Sequence, residues 1–132
     1  MKKIIYAFIA GWIGITACTP SVENPTMVNR KPSIYPDYIG VTIPADIAPM
    51  NFNIKGDTVD VVDVVAKGSK GGELHVCGEW ADFDVEDWHL LTEQNVGGSI
   101  SFTVSTRKDG KWKQYQDFQM MVSPCRLDDY GL

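Results

Sequence analysis

Residues 99–122 read SISFTVSTRKDGKWKQYQDFQMMV, and the fold turns on this stretch. From Ser99 to Ser105 the side chains alternate without a break. Ile100, Phe102 and Val104 fall on one side, and Ser99, Ser101, Thr103 and Ser105 on the other. A period of two marks a strand with one face buried. Asp109-Gly110 is a strong short-range signal for a tight hairpin, because the favoured two-residue turns need residues that accept positive φ. The returning segment carries Phe118, Met120 and Val122 at the same spacing of two. It is expected to run back as a partner strand with those three side chains inward.

The segments upstream fit the same architecture. GELHVCGEW sets Leu74 and Val76 against Glu73, His75 and Cys77, which predicts a strand over 73–79. TVDVVDVVAKG is rich in β-branched residues, interrupted by Asp60 and Asp63, and predicts a strand over about 58–66. KGSKGG, residues 67–72, is a turn between the two. Pro36, Pro44 and Pro49 deny helix to residues 35–54 and leave room only for short edge strands. Partial alternation there places Val41 and Ile43, then Met50, Phe52 and Ile54, on one side each.

One helix is expected. Asp84 is a capping residue, Glu86 and Asp87 suit the positive N-terminal end, and Val85, Trp88 and Leu91 make a weak apolar stripe of about two turns. Six or seven short strands with turns every 8–12 residues predict a mostly β protein. The expected fold is a small Ig/fibronectin-like β-sandwich with one short helix, following an N-terminal signal segment.

That segment begins with Lys2-Lys3 and continues in an apolar run of 12 residues, Ile4 to Ile15. A spanning helix needs about 20 apolar residues, so the run reads as the hydrophobic region of a signal peptide. Ile15-Thr16-Ala17-Cys18 then resembles the bacterial lipobox. The resemblance implies peptidase recognition through Ile15, Thr16 and Ala17, and acylation of Cys18. It also implies a lipid-anchored protein of the cell envelope, and Thr19 after the cysteine favours the outer membrane. The expected organisation is a signal peptide over 1–17, a flexible tether over 18–34, a domain over 35–125 and a tail over 126–132.

Of 132 residues, 12 are basic and 17 acidic, a formal charge of −5; removal of residues 1–17 with their two lysines leaves −7. Nucleic acid is therefore not an expected partner, since phosphates require clustered Lys and Arg. On total charge the same holds for electrostatic docking on an anionic bilayer. The expected partners are the membrane, through Cys18, and an envelope protein or glycan.

Chemistry is sparse. His75 and Cys77 share a strand face, but no CxxC or HExxH accompanies them, so no metal is expected. The absence of CxxCH excludes covalent haem of the c type, and no cofactor is expected. No serine stands in a G-x-S-x-G elbow, so the chain does not read as an enzyme. Trp80 with Asp82 and Asp84 forms a candidate ligand face for sugar or peptide, and Trp88, Trp112 and Tyr115 either extend it or belong to the core. With Cys18 acylated, Cys77 and Cys125 are the candidate disulfide pair, 48 positions apart.

Tyr35-Pro-Asp-Tyr-Ile-Gly-Val-Thr-Ile-Pro-Ala-Asp-Ile-Ala-Pro-Met-Asn-Phe52, then Trp88-His-Leu-Leu91, Lys108-Asp-Gly-Lys-Trp112 and Val122-Ser-Pro124, resemble a family of Bacteroidetes lipoproteins. These are described as TolB-like or cytochrome c biosynthesis-type. The resemblance covers most of residues 35–131 and implies a leading β-sandwich-like module. In that family a C-x-x-C-H motif and a propeller of repeats follow, and this chain has neither. Haem binding and propeller function are thus not carried over, and a stand-alone module or a truncated reading frame is expected. The motifs that match are proline-shaped strand entries and aromatic residues, which carry no chemistry of their own.

Overall fold

In the computed structural model the described residues are 21–56 and 58–124. They form a mostly β domain with one short helix: β1 (Thr26–Met27), β2 (Ile34–Tyr35), β3 (Thr42–Ile43), β4 (Asn53–Ile54), β5 (Val61–Gly68), β6 (Glu73–Gly78), α1 (Val85–Gln94), β7 (Ser99–Lys108), β8 (Lys111–Gln114) and β9 (Phe118–Val122). Seven strands make one sheet, in the order β1-β8-β7-β5-β6, with β9 also pairing β7 and β3 pairing β9. β2 and β4 form a separate antiparallel ribbon.

β7 is the spine. β5 runs antiparallel along it from Val61↔Arg107 to Gly68↔Ile100. Its other edge is shared: β8 pairs with Ser105–Lys108 and β9 with Ser99–Phe102. Ser105 lies opposite Gln114, but Phe102 lies opposite Phe118. Three residues on the returning strand thus face two on β7, a bulge at residues 115–117. The extra residue reverses the parity of the strand. Trp112 and Gln114 face outward with Arg107 and Ser105, whereas Phe118 and Met120 face inward with Phe102 and Ile100. The expected single strand is therefore two pieces, and Trp112 and Phe118, although six positions apart, lie on opposite faces.

The inner face carries the core. Ile100, Phe102 and Val104 of β7 meet Val62, Val64 and Ala66 of β5, all completely buried, and Phe118, Met120 and Val122 of β9. Over them pack Ile34, Phe52, Phe83, Trp88 and Leu91 from the ribbon, loops and helix, which form the second layer of the small sandwich. Phe102 and Phe118 stack at 4.9 Å, and Phe83 bridges Phe52, Phe102 and Trp88 at 5.1–6.4 Å. Such aromatic pairs add about 0.5–1.5 kcal/mol each beyond area burial.

Three expectations change. Val85 is 53% exposed, and the buried face of α1 is Trp88, Leu91 and Thr92, with the Thr92 hydroxyl donating to the Ala45 carbonyl at 2.5 Å. The segment read as a tether is held to the domain from Thr26 onward. β1 lies parallel to β8, and the Gln116 amide N–H donates to the Arg30 carbonyl at 2.9 Å. Strand β5 runs from Val61 to Gly68, two residues into the segment read as a turn, and its outward-facing Asp63 is buried as well, with His75 of β6 against it.

Candidate functional site

Among the described residues β6 is the last strand of the sheet, so one of its edges has no described strand beside it. Gly68 N–H donates to the Gly72 carbonyl at 3.0 Å and closes the β5–β6 hairpin as a hydrogen-bonded pair. Antiparallel alternation then pairs 66 with 74 and 64 with 76. Glu73 and His75 consequently direct their N–H and C=O groups away from β5, toward the open edge.

Helix α1 borders this edge. Its first turn is fixed by Asp84, whose carboxylate accepts from the N–H groups of Glu86 and Asp87 at 3.1 Å each. With Trp88 and Leu91 anchored in the core, the helix turns Leu90 outward, 69% exposed. Between helix and strand runs an open hollow of about 270 Å³, with Leu74, Leu90 and Leu91 as its apolar lining and Glu73, His75, Asp87 and Gln94 at its rim.

Beyond the end of β6, the loop bearing Trp80 is fastened to the second layer. Phe52 and Ala81 exchange backbone hydrogen bonds at 2.9 and 3.2 Å. The Asn51 side chain donates to Asp82 at 3.3 Å and accepts from Phe83 N–H at 2.8 Å. Trp80 projects from this clamped loop, 43% exposed. Of the candidate ligand face, Trp80 is thus presented to solvent, while Asp82 is held by Asn51 and Asp84 caps the helix. The other aromatics are scattered. Trp88 and Tyr115 are in the core, and Trp112 lies on the outer face of the sheet beneath Arg107, 5.9 Å from its ring.

On that outer face His75 Nε2 lies 2.6 Å from Oδ1 of Asp63, whose side chain is 7% exposed against 49% for the histidine. Sequence reading missed this pair, because Asp63 looked like a break in an apolar run. The polar residue inside a β-branched strand was the available signal; its partner across the β5–β6 pairing was not. The serine level with Asp63, Ser105, lies on the opposite side from His75 and accepts from Gln114 at 3.2 Å. His75, Asp63 and Ser105 therefore do not line up as a nucleophile, base and orienting acid.

Cys77 is disulfide-bonded, which removes it as a nucleophile and as a thiolate ligand. Its partner is not among the described residues. Cys125 lies outside them, as do Ile15, Thr16, Ala17 and Cys18. Among the described residues no group of three or more His, Cys, Asp or Glu stands close enough to hold a metal ion. No helix among them is long and apolar enough to cross a membrane. The arrangement offers backbone hydrogen bonds and apolar side chains to a second molecule.

No family model, no curated protein and no solved structure matches this chain.

Proposed function

We propose that this chain is a non-enzymatic interaction module of the cell envelope, anchored through an acylated Cys18. It binds an extended segment of another envelope protein by strand addition along β6. The observation that carries this reading is the open edge of β6 beside Leu74 and Leu90. Strand addition draws affinity from main-chain hydrogen bonds and specificity from pockets for alternate side chains. An edge of this kind is normally blunted by charged side chains, proline or a covering helix or loop, because it templates pairing; at β6 the charge is Glu73, and α1 stands across the hollow from the strand. β6 contains neither lysine nor proline. Anchoring rests on the basic start, the apolar run and Ile15-Thr16-Ala17-Cys18. Two or three acyl chains would hold the protein durably where one would not.

The test is a photo-crosslinking residue at position 75 of the full chain in cells. A discrete adduct with one envelope protein, abolished by Leu90→Asp, is expected. If the same exposure produces no adduct, or one indifferent to Leu90→Asp, the edge is not the binding site.

The exposure of Trp80 supports a second reading, a carbohydrate- or peptidoglycan-binding module. Tryptophan emission titrated with envelope glycans decides it: a saturable change lost in Trp80→Ala supports this reading, and a flat response across the panel removes it.

A further inference from the structure

Charge along the chain is uneven. Residues 71–106 contain no lysine or arginine, and the next seven residues contain Arg107, Lys108, Lys111 and Lys113. The β7–β8 hairpin gathers these four at one tip. Lys108 lies directly opposite Lys111, and Lys113 opposite Thr106. Strand alternation puts Lys108, Lys111 and Lys113 on one face of the hairpin, around an open hollow of about 250 Å³ also lined by Val59, Thr106 and Asp109.

Like charges directly opposite on paired strands destabilise a hairpin. None of the three lysines makes an ion pair among the described residues. Two carboxylates are close: Asp60 accepts from the Asp109 N–H at 3.1 Å, and Asp109 occupies the turn with φ 52°. Glu23 lies on the neighbouring hollow with Lys111 and Trp112. Arg107 and the three lysines against Asp60, Asp109 and Glu23 leave a local balance of +1, on a protein whose formal charge is −5.

The second observation is where the chain enters. Ser21 lines the same neighbouring hollow, beside Gly110 and Lys111. Cys18 is three residues earlier in sequence, a span of at most about 10 Å. An acyl anchor at Cys18 would hold this tip, rather than the opposite end of the sheet, against the bilayer.

We infer that the β7–β8 hairpin is a docking foot for anionic phospholipid, with Lys108, Lys111 and Lys113 seating headgroup phosphates and fixing the domain's orientation on the membrane. The inference rests on the anchor reading, and it reverses what total charge suggests about bilayer docking. A lysine near an anionic surface shifts the docked equilibrium roughly fivefold, so three shift it about a hundredfold.

The experiment uses the acylated chain in vesicles of phosphatidylcholine alone or enriched in phosphatidylglycerol, with amide hydrogen exchange as readout. Exchange over residues 106–113 is expected to slow on the anionic vesicles only. High salt, or Lys108→Gln/Lys111→Gln/Lys113→Gln with an unchanged circular dichroism spectrum, is expected to abolish the difference. Equal exchange on the two vesicle types overturns the docking foot while leaving the anchor intact. Flotation on neutral vesicles scores the anchor separately. If Cys18→Ala floats as well as the parent, the anchor reading falls, and the anionic–neutral difference still decides the hairpin.

Discussion

Asn95 lies directly beneath Gly68, its side-chain amide filling the place a β-carbon at Gly68 would take. The amide donates to the carbonyls of Leu91 and Gly71 at 2.8 and 3.0 Å and accepts from Lys70 N–H at 2.7 Å. One fully buried side chain thus ties the end of α1 to the β5–β6 turn, and with it sets where the helix stands relative to the β6 edge.

Asn95→Ala strands two carbonyls and one N–H and is expected to cost about 3 kcal/mol. Gly68→Ala forces the amide aside and is expected to cost about 1–3 kcal/mol. Because Asn95→Ala vacates the space the new methyl needs, the double variant should be less destabilised than the sum of the two. Urea unfolding of all four proteins measures the coupling. Strict additivity would show that the contact does not govern either loss.

The bulge at residues 115–117 allows a sharper test. Removing Gln116 leaves two residues opposite two on β7, so the β8 and β9 registers become continuous while Phe118, Met120 and Val122 keep the inner face. This variant is expected to fold with the same core, losing the Gln116 N–H bond to the Arg30 carbonyl, whereas Gln116→Ala keeps that bond, loses only exposed contacts, among them a 2.8 Å bond to Asn29, and is expected to stay within about 1 kcal/mol of the parent. Near-ultraviolet circular dichroism reads the aromatic core in both. A deletion that lost the native-like spectrum would mean that the core needs the bulge itself and not only the inward set of Phe118 and Met120.

The strands and the helix cap were legible because they rest on local chemistry: alternation in residues 99–105, Asp109-Gly110 at a tip, Asp84 before two acidic residues. The bulge was not, because Gln116 and Asp117 have nothing unusual in composition. Only the core's demand for both Tyr115 and Phe118, three positions apart, requires an extra residue between them. The same applies at the candidate site. Trp80 could be named from sequence, but the open edge of β6 depends on which strand ends the sheet, a property of the whole topology. Val85 misled because a weak stripe has two readings, and burial of Thr92 against the Ala45 carbonyl selected the other.

Trp88 and Trp80 should part company in stability measurements. Trp88 is completely buried and its indole N–H has no acceptor among the described residues. Trp88→Ala is expected to cost about 3–5 kcal/mol, and Trp88→Phe much less, since it also removes that unsatisfied donor. Trp80→Ala is expected to change stability by no more than about 0.5 kcal/mol. Thermal unfolding checks all three, and a large loss at Trp80 would recast it as a structural residue.

His75 and Asp63 form a half-covered pair whose loss should be asymmetric. His75→Ala leaves the Asp63 carboxylate with less compensation in its buried position and is expected to cost about 1–2 kcal/mol. Asp63→Asn leaves a neutral amide able to bond the imidazole and is expected to cost less. Denaturant midpoints at fixed pH decide the order; the reverse order would mean that the carboxylate is served by other groups.

The disulfide at Cys77 joins the fold to the anchor. The chain has three cysteines, and the two other than Cys77 lie outside the described residues. If Cys18 carries lipid, only Cys125 is left to bond Cys77. The bond must then survive in Cys18→Ala and vanish in Cys125→Ala, where a new alkylatable thiol appears at Cys77. Closing a loop of 48 residues is worth roughly 3–4 kcal/mol, and Cys125→Ala should lose about that much. Peptide mapping of alkylated protein reads both results. A peptide linking Cys18 to Cys77 would mean that the cysteine is not acylated, and the envelope anchor would fall with it.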